Sequence, residues 1–263
     1  MSVQTLRVAE RARDYLGVRG RDAADLLQRM VSNDVVGLPV GRACEALLLT
    51  PKARVIAPLV VLRRAEDDFL LLTEPGLGER VGRELIRARF SARAAIEPEE
   101  HRSTVVLGGD PTAGILTADY GEAAVEVLDA EVAGEPVPDE ELELFRIRAG
   151  TPRWGREIDD RVLPAEAGLV ERAVSLTKGC YPGQEPIARL HYRGHANRRL
   201  RVLEIESTEP PPYDTDVVLA GKTVGRVTSA TRDDGRVVAL AYVRREVPDD
   251  AELDVGGAGA RLH

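Results

Sequence analysis

Aromatic residues and cysteines are scarce in this sequence. Only 4% of its 263 residues are Phe, Tyr or Trp, so we expect cores of Val, Leu, Ile and Ala and no stacking platform for single-stranded nucleic acid. The two cysteines, Cys44 and Cys180, could form at most one disulfide, which excludes a secreted disulfide framework. Because they form no Cys-x-x-Cys pair, they cannot complete a tetrahedral zinc or iron–sulfur site within one chain.

Long apolar runs are also missing. No stretch approaches the roughly 20 apolar residues that a membrane helix needs. Residues 1–10 carry charge where a signal peptide has its apolar region. We therefore expect a cytoplasmic protein with reduced thiols and no membrane contact. The sequence lacks Gly-x-Gly-x-x-Gly, Walker and Gly-x-Ser-x-Gly motifs, which argues against dinucleotide, P-loop and hydrolase sites.

What the sequence does have is an uneven charge. The net charge is −8, yet the segment 172–201 alone carries +6 and contains one acid, Glu185. Its basic residues are Arg172, Lys178, Arg189, Arg193, Arg198, Arg199 and Arg201. A basic island in an acidic protein indicates a local anionic ligand rather than a nucleic-acid footprint. A solvated arginine-rich face explains the same composition equally well.

The N-terminal half shows alternating strand and helix patterns. Apolar residues at helical spacing predict a helix over 22–32, with Asp22 as its N-cap, and a second helix over 77–89. Apolar runs between turn residues predict strands. The predicted strands cover 43–50, 54–63, 69–73, 105–107 and 124–128. This alternation indicates an α+β fold with a ferredoxin-like part.

The C-terminal half is organised differently. Residues 134–138 are expected to form a linker, followed by a helix over 139–148 that stops at Gly150. The segment 151–197 is rich in Gly and Pro and poor in periodicity, and long irregular segments in compact proteins are usually functional. From Arg198 onward, short strands with Gly and Asp turns predict a small β-barrel.

One stretch of the irregular segment carries the clearest chemistry. It reads Lys178-Gly179-Cys180-Tyr181-Pro182-Gly183-Gln184-Glu185. A cysteine framed by Gly, Pro-Gly and charge indicates an exposed thiol rather than a buried hydrophobe. Pro182 and Gly183 fit a type II turn, and Pro186 suits the first position of a helix that runs to about Tyr192.

The groups around the thiol predict how it could act. Lys178, Arg189, Arg193 and the N-terminus of the following helix are each expected to favour the thiolate of Cys180. His191 is a candidate partner, although a lone histidine more often only forms a hydrogen bond.

Ligand contacts are predicted from the same stretch. Gly179 and Gly183 leave the backbone open to a ligand, while Gln184 and Glu185 offer groups that could recognise a heterocycle. By contrast, Cys44 lies in a predicted strand and is expected to be structural. Trp154 is expected to pack at a domain junction rather than to stack on a ligand.

The motif resembles the Lys-Gly-Cys-aromatic-x-Gly-Gln-Glu motif of the YgfZ-type folate-binding proteins. These proteins are relatives of the glycine-cleavage T-protein, an aminomethyltransferase. Segments 16–23, 146–152, 163–169 and 193–200 also resemble that family. The resemblance therefore covers nearly the whole chain.

This resemblance implies an α+β fold of three domains in an aminomethyltransferase-like ring around a folate-binding opening. The expected domains are a folate-binding core (1–42 plus 139–197), a ferredoxin-like domain (43–138) and a C-terminal β-barrel (198–263). The implied function is that of a tetrahydrofolate-binding accessory protein for assembly or repair of iron–sulfur enzymes. Cys180 and Lys178 are the implied functional residues. The expected folate-binding residues are Gly179, Tyr181, Gly183, Gln184, Glu185, Arg189 and Arg193.

A folate-dependent one-carbon (aminomethyl) transferase is the alternative. The T-protein's catalytic aspartate has no counterpart in the stretch 54–58, and Arg148 replaces its pterin-binding glutamate. Without these acids, methylene transfer lacks its general acid/base group, so we do not expect this activity. We expect a monomer that has no metal site of its own and binds no nucleic acid. Its expected partners are iron–sulfur client proteins, with a transient cluster shared between the two chains.

Overall fold

Strands outnumber helices in the computed structural model of this protein, which describes residues 6–108, 114–121 and 124–263. Residues 1–5, part of the segment predicted to lack a signal peptide, lie outside the described residues. The strands are β1 (Arg7–Glu10), β2 (Asp14–Arg19), β3 (Ala43–Leu49), β4 (Val55–Ala65), β5 (Asp68–Thr73), β6 (Ala95–Glu99), β7 (Ser103–Leu107), β8 (Ile115–Thr117), β9 (Ala124–Leu128), β10 (Glu135–Pro136), β11 (Arg198–Ile205), β12 (Asp216–Leu219), β13 (Lys222–Asp233), β14 (Arg236–Arg244), β15 (Leu253–Val255) and β16 (Ala258–Leu262). The helices are α1 (Ala23–Met30), α2 (Gly78–Arg89), α3 (Asp139–Arg148), α4 (Val170–Ala173) and α5 (Gln184–Arg193).

One sheet carries helices on one face, and we call it the helix-backed sheet. Its strand order is β3-β4-β5-β2-β6, with every neighbouring pair antiparallel. Strand β5 shows why its sequence is apolar at successive positions. Phe69 and Leu71 pack on α1 and α2, whereas Leu70 and Leu72 pack against a strand of the second sheet. A strand that is buried on both faces has no polar alternation.

The second sheet has the order β10-β1-β7-β9-β8. Strand β10 pairs parallel to β1, so the predicted linker 134–138 is partly a strand. Its backbone explains the difference: the amide of Glu135 donates to Leu6 at 2.8 Å, and the amide of Val137 donates to Val8 at 2.8 Å. Gly134 permits this approach, since a Cβ there would lie 2.7 Å from the Leu6 carbonyl oxygen.

The sheets do not divide where the expected domain boundary at 42/43 lies. Strand β2 belongs to the segment 1–42, but it pairs with β5 and β6 of the segment 43–138. Strand β1 likewise pairs with β7. Strand pairing is set by backbone register between distant segments, which the local pattern did not reveal. The three-domain division itself stays a prediction.

The C-terminal strands form a closed barrel in the order β11-β14-β13-β12-β15-β16, as the period-two pattern predicted. Alternate apolar residues such as Leu203, Val227 and Ala239 fill its interior. The α+β fold class is thereby confirmed, with the helix-backed sheet N-terminal and the barrel C-terminal.

Asp22 differs from its predicted role. It occupies the N-cap position of α1 but makes no side-chain cap bond. Its carboxylate instead accepts a hydrogen bond from the Arg93 amide at 2.7 Å, which ties the start of α1 to the chain before β6. None of the described helices is long and apolar enough to cross a bilayer.

Candidate functional site

The residues 178–184, which we call the motif turn, pack on the hairpin between β3 and β4. The Gln184 amide donates to the Tyr181 carbonyl at 3.3 Å, and Gly183 has φ 85° and ψ 1°. These values are those of the predicted type II turn. A Cβ at Gly183 would lie 2.7 Å from the Thr50 carbonyl oxygen. Glycine therefore serves both the turn geometry and the contact with the hairpin.

Cys180 is a free, exposed thiol on this turn. Gly179 precedes it and has open space where a side chain would project. Helix α5 begins four residues after the cysteine, at Gln184. Pro186 is therefore the third residue of the helix rather than its first, because Gly183 takes the N-cap position. The thiol of Cys180 is therefore open to solvent, while the backbone of the turn packs on the hairpin between β3 and β4.

Lys178 holds the turn to the end of α1. Its Nζ donates to the Val31 carbonyl at 2.7 Å and to the Asn33 carbonyl at 2.8 Å, and it lies 5.2 Å from the Tyr181 ring centroid. Burial lowers the pKa of Lys178 to about 8, although Asp34 and the Cys44 thiol act in the opposite direction. The sequence predicted this ammonium as a partner of Cys180, whereas the structure gives it two backbone carbonyls.

Cys44 and Tyr181 behave as packing residues. Cys44 is half-buried in β3, and burial raises the pKa of its thiol to about 11. Tyr181 is only 7% exposed, and burial raises the pKa of its phenol to about 12. The Tyr181 ring was predicted to bind a ligand, but here it supports Lys178 and the core around Ile187.

The predicted ligand residues split into two groups. Gln184 lies in the first turn of α5, and its Nε2 donates to the Lys178 carbonyl at 3.5 Å. Arg189 and Arg193 are exposed, one helical turn apart and on the face opposite the buried Ile187. Glu185 is exposed on that outer face too. The structure therefore holds Gln184 in the motif turn that carries Cys180 and places the two arginines on the outer face of α5.

His191 lies two turns into α5, about 10 Å along the axis from its start. Its ring packs edge-on against Tyr192, with centroids 4.9 Å apart. Among the described residues, no hydrogen bond joins it to Cys180, so the structure holds no Cys–His pair there. Trp154 packs against two hydrophobic cores at once, as expected for a residue at a junction.

Sequence reasoning missed a second group of charged residues, which we call the central ion-pair cluster. It lies where the two sheets meet the segment 151–172 and surrounds a small cavity. Its members are Arg11, Arg13, Glu45, Glu74, Asp119, Glu126 and Arg172. They come from strands and loops far apart in sequence, so no local pattern marks them.

Short ion pairs join the members of the central ion-pair cluster to one another. Arg172 lies 2.6 Å from Glu45 and 2.5 Å from Asp119, and Arg13 lies 2.8 Å from Glu126. Burial alone would raise the pKa of Asp119, but the guanidinium groups of Arg11 and Arg172 bring it below its usual range. Glu126 is likewise held below its usual pKa by Arg13 against the effect of burial. These carboxylates are therefore ionised.

Ion pairs lower the unpaired positive charge of the basic island, the segment 172–201. Arg172 pairs with Glu45 and Asp119, Arg198 lies 3.1 Å from Glu166, and Arg201 lies 2.8 Å from Asp249. Part of the +6 charge is thus neutralised by acids from other segments.

The central cavity does not fit a bound pterin in this conformation. Its volume is about 60 Å³, far below the roughly 300–1,000 Å³ of small-molecule pockets. Pro58 and Leu59 line it near the stretch where the T-protein's aspartate is missing. Arg148, which replaces the pterin-binding glutamate, lies 2.5 Å from Asp233 of the barrel. In the described part of the chain, no cluster of three or more His, Cys, Asp or Glu could hold a metal ion.

Comparison with known proteins agrees with this architecture. Residues 14–129 match the model of the GCVT N-terminal domain, and residues 198–263 match that of the CAF17 C-terminal beta-barrel domain. An uncharacterised protein of Haemophilus influenzae is 24% identical over 90% of this chain and 88% of its own length. The iron-sulfur cluster assembly factor IBA57, mitochondrial, of Homo sapiens is 28% identical over 81% of this chain and 71% of its own.

A solved structure shows the same fold. The crystal structure of glycine cleavage system aminomethyltransferase T from Bartonella henselae superposes with a TM-score of 0.84 and 19% identity, covering 98% of this chain and 85% of that one. The predicted resemblance is thereby confirmed: the chain matches a GCVT N-terminal domain and a CAF17 C-terminal β-barrel domain, and it is similar to an iron–sulfur cluster assembly factor and to aminomethyltransferases.

Proposed function

We propose that this protein is an accessory factor in the assembly or repair of iron–sulfur enzymes and that it acts through Cys180. The observation that carries the proposal is a free, exposed thiol on a turn held by Lys178 and Gly183. The CAF17-type barrel and the similarity to a human iron–sulfur cluster assembly factor support the same role.

The chemistry of one thiol limits how such a factor works. A thiolate is both a nucleophile and a soft metal ligand. A single cysteine offers one ligand, and an iron–sulfur cluster requires about four. Any cluster at Cys180 therefore takes its remaining ligands from another chain, so the protein acts in a transient complex. The rigid turn fixes where the thiol meets that partner.

The proposal is tested in cells that lack this protein, by the activity of an iron–sulfur enzyme. Cys180→Ser keeps the size of the side chain and removes the thiolate, so we expect enzyme activity as low as without the protein. Cys44→Ala is the matched control, since it removes the other thiol, and we expect it to restore activity. Full activity with Cys180→Ser would refute the proposal.

Tetrahydrofolate is the proposed small-molecule ligand, on the basis of the family resemblance and the fold. Binding at the centre requires that the central ion-pair cluster open, because the cavity is too small in this arrangement, and the Arg172–Asp119 pair is one of the contacts that close it. A site that must open first binds with an affinity reduced by the fraction of open molecules. Asp119→Asn weakens this pair and should therefore tighten binding.

A tetrahydrofolate titration of three proteins locates the ligand. We expect saturable binding to the unchanged chain, tighter binding to Asp119→Asn and unchanged binding to an Arg189→Ala/Arg193→Ala double variant. Weaker binding to the double variant alone would place the folate at the outer face of α5. An absence of saturable binding in all three would remove folate from the proposed function and leave the Cys180 role to its own test.

The alternative, an aminomethyl transferase, has the fold in its favour. The acids that the reaction needs are absent from the stretch 54–58 and from position 148. The central carboxylates Asp119 and Glu126 are held ionised by arginines, which makes them poor proton donors. Methylene transfer from an aminomethyl donor to tetrahydrofolate would revive this alternative.

A further inference from the structure

The surface around the C-terminal half of α5 carries cations that the fold leaves without carboxylate partners. Arg189, Arg193, Arg199 and Arg245 are all exposed, and none makes an ion pair with a described carboxylate. Arg172, Arg198 and Arg201 of the same basic island are paired. In a chain with net charge −8, this concentration of unpaired positive charge indicates an acidic binding partner.

A groove lies beside these residues, between α5 and the start of the barrel. We call it the cationic groove; its volume is about 370 Å³. Ile187, Leu190 and Leu200 form an apolar floor, while Arg199 and Arg245 stand at its rim. The Arg245 amide donates to the Asn197 carbonyl at 3.0 Å, which fixes the end of β14 against this rim.

The other ionisable groups of the groove do not cancel its charge. His191 and His195 also line it. Glu166 lines it but lies 3.1 Å from Arg198, so its charge is already balanced. Glu171 is the remaining acid at the rim. The two arginines therefore leave a net positive rim over an apolar floor.

The dimensions of this surface favour a protein segment over a small anion. Helix α5 spans ten residues, or about 15 Å, with Cys180 before its first turn and the cationic groove beside its last. Arg199 and Arg245 line the groove, whereas Arg189 and Arg193 lie on the outer face of α5, so the cations do not converge on one point. Tyr192, 67% exposed, adds an aromatic contact of the kind that is enriched at interfaces.

We propose that the cationic groove docks an acidic segment of the partner protein, with apolar residues seated on its floor, and so positions the partner at Cys180. This inference rests on the proposed function, because it assigns a partner surface to the same thiol. Charge complementarity of this kind mainly sets the association rate and the choice of partner.

A labelled peptide tests the groove directly. The probe is a short synthetic helix-forming peptide with leucines at helical spacing and glutamates elsewhere, followed by fluorescence anisotropy at low salt. We expect Arg199→Glu/Arg245→Glu to weaken binding by about ten-fold. The control is Arg42→Glu/Lys222→Glu, which changes the charge equally at exposed sites elsewhere, and we expect nearly unchanged affinity. Thermal melting confirms that both variants fold.

Three results would overturn the inference. Equal weakening by both double variants would show a general charge effect, and tight binding of a peptide with lysines in place of glutamates would exclude acidic recognition. Self-association of the chain that Arg199→Glu/Arg245→Glu abolishes would identify a second copy as the occupant.

The cell assay separates this inference from the proposed function. We expect both Cys180→Ser and Arg199→Glu/Arg245→Glu to lower iron–sulfur enzyme activity, while Arg42→Glu/Lys222→Glu leaves it unchanged. Loss with Cys180→Ser but full activity with the groove variant would refute the docking surface and keep the function. Full activity with Cys180→Ser would refute the function, and the peptide titration would still decide whether the groove binds acidic segments.

Discussion

The motif turn exposes a free thiol on a rigid backbone, whereas the central ion-pair cluster buries its charged groups against one another. Cys180 is open to solvent, while Glu126 is 1% exposed and lies 2.8 Å from Arg13. In the fold shared with an aminomethyltransferase, the centre of this chain is thus occupied by structural ion pairs. The proposed reactive group, the thiol of Cys180, lies at the surface instead, where a partner protein can reach it.

The largest expected effect is a loss of stability when the central ion-pair cluster is broken. Glu126→Ala leaves Arg13 buried without its bidentate partner, and removal of one member of a buried pair costs about 3–5 kcal/mol. Denaturant unfolding measures the change. Arg236→Ala is the control, because its pair with Glu204 is about half exposed on both sides and should contribute no more than about 1 kcal/mol. Similar losses for both variants would show that the centre is not a stabilising structural cluster.

A smaller effect is expected at the motif turn. Gly183→Ala places a Cβ 2.7 Å from Thr50 at a φ of +85°, which costs about 1–3 kcal/mol and moves the turn. Gly179→Ala is the matched control, since nothing lies within 4 Å of a Cβ there. We expect reduced stability and reduced function in cells for Gly183→Ala only. Equal stability and equal function of the two variants would contradict the close contact between Gly183 and Thr50.

The lowered pKa of Lys178 makes the stability of the protein depend on pH. Its folded pKa, about 8, lies below the ordinary value of 10.5 because of burial, so the unfolded chain binds the extra proton between these values. The contribution of Lys178 to the free energy of unfolding therefore rises with pH over that window and is flat below it.

Amine labelling across pH measures this shift, with the exposed Lys52 and Lys222 as references in the same molecule. We expect half-maximal labelling of Lys178 near pH 8, after correction for accessibility. Half-maximal labelling of Lys178 near its ordinary pKa of 10.5 would contradict the burial that the structure shows.

The smallest effect is expected at position 148. Arg148→Glu restores the acid of the T-protein. The Arg148 side chain, however, pairs with Asp233 of the barrel and does not line the central cavity. We expect a loss of about 1 kcal/mol or less and unchanged tetrahydrofolate affinity in titration. A gain in affinity would show that residue 148 reaches the bound folate, against its position beside Asp233.

The sequence predicted what local patterns determine. The period-two pattern identified the barrel, apolar runs between turn residues identified β3, β4 and β5 of the helix-backed sheet, and Pro182-Gly183 identified the turn. Strand β10 escaped prediction because it is two residues long and has no side-chain pattern to mark it.

The site was harder to predict than the fold. Arg172 counted as part of a free basic island, but its partner Glu45 lies 127 residues away in sequence. Lys178 stands two residues from Cys180, yet it binds Val31, 147 residues away. Contacts between distant segments depend on how the layers pack, and one sequence does not contain that information in local form.

The central claim is that the exposed thiol, and not the closed centre, performs the function. The most direct measurement compares Cys180→Ser with Asp119→Asn in cells that lack this protein, using the activity of an iron–sulfur enzyme at matched levels of folded protein. We expect Cys180→Ser to abolish the restored activity and Asp119→Asn to keep it. Full activity with Cys180→Ser together with loss in Asp119→Asn would contradict the account and return the function to the centre of the fold.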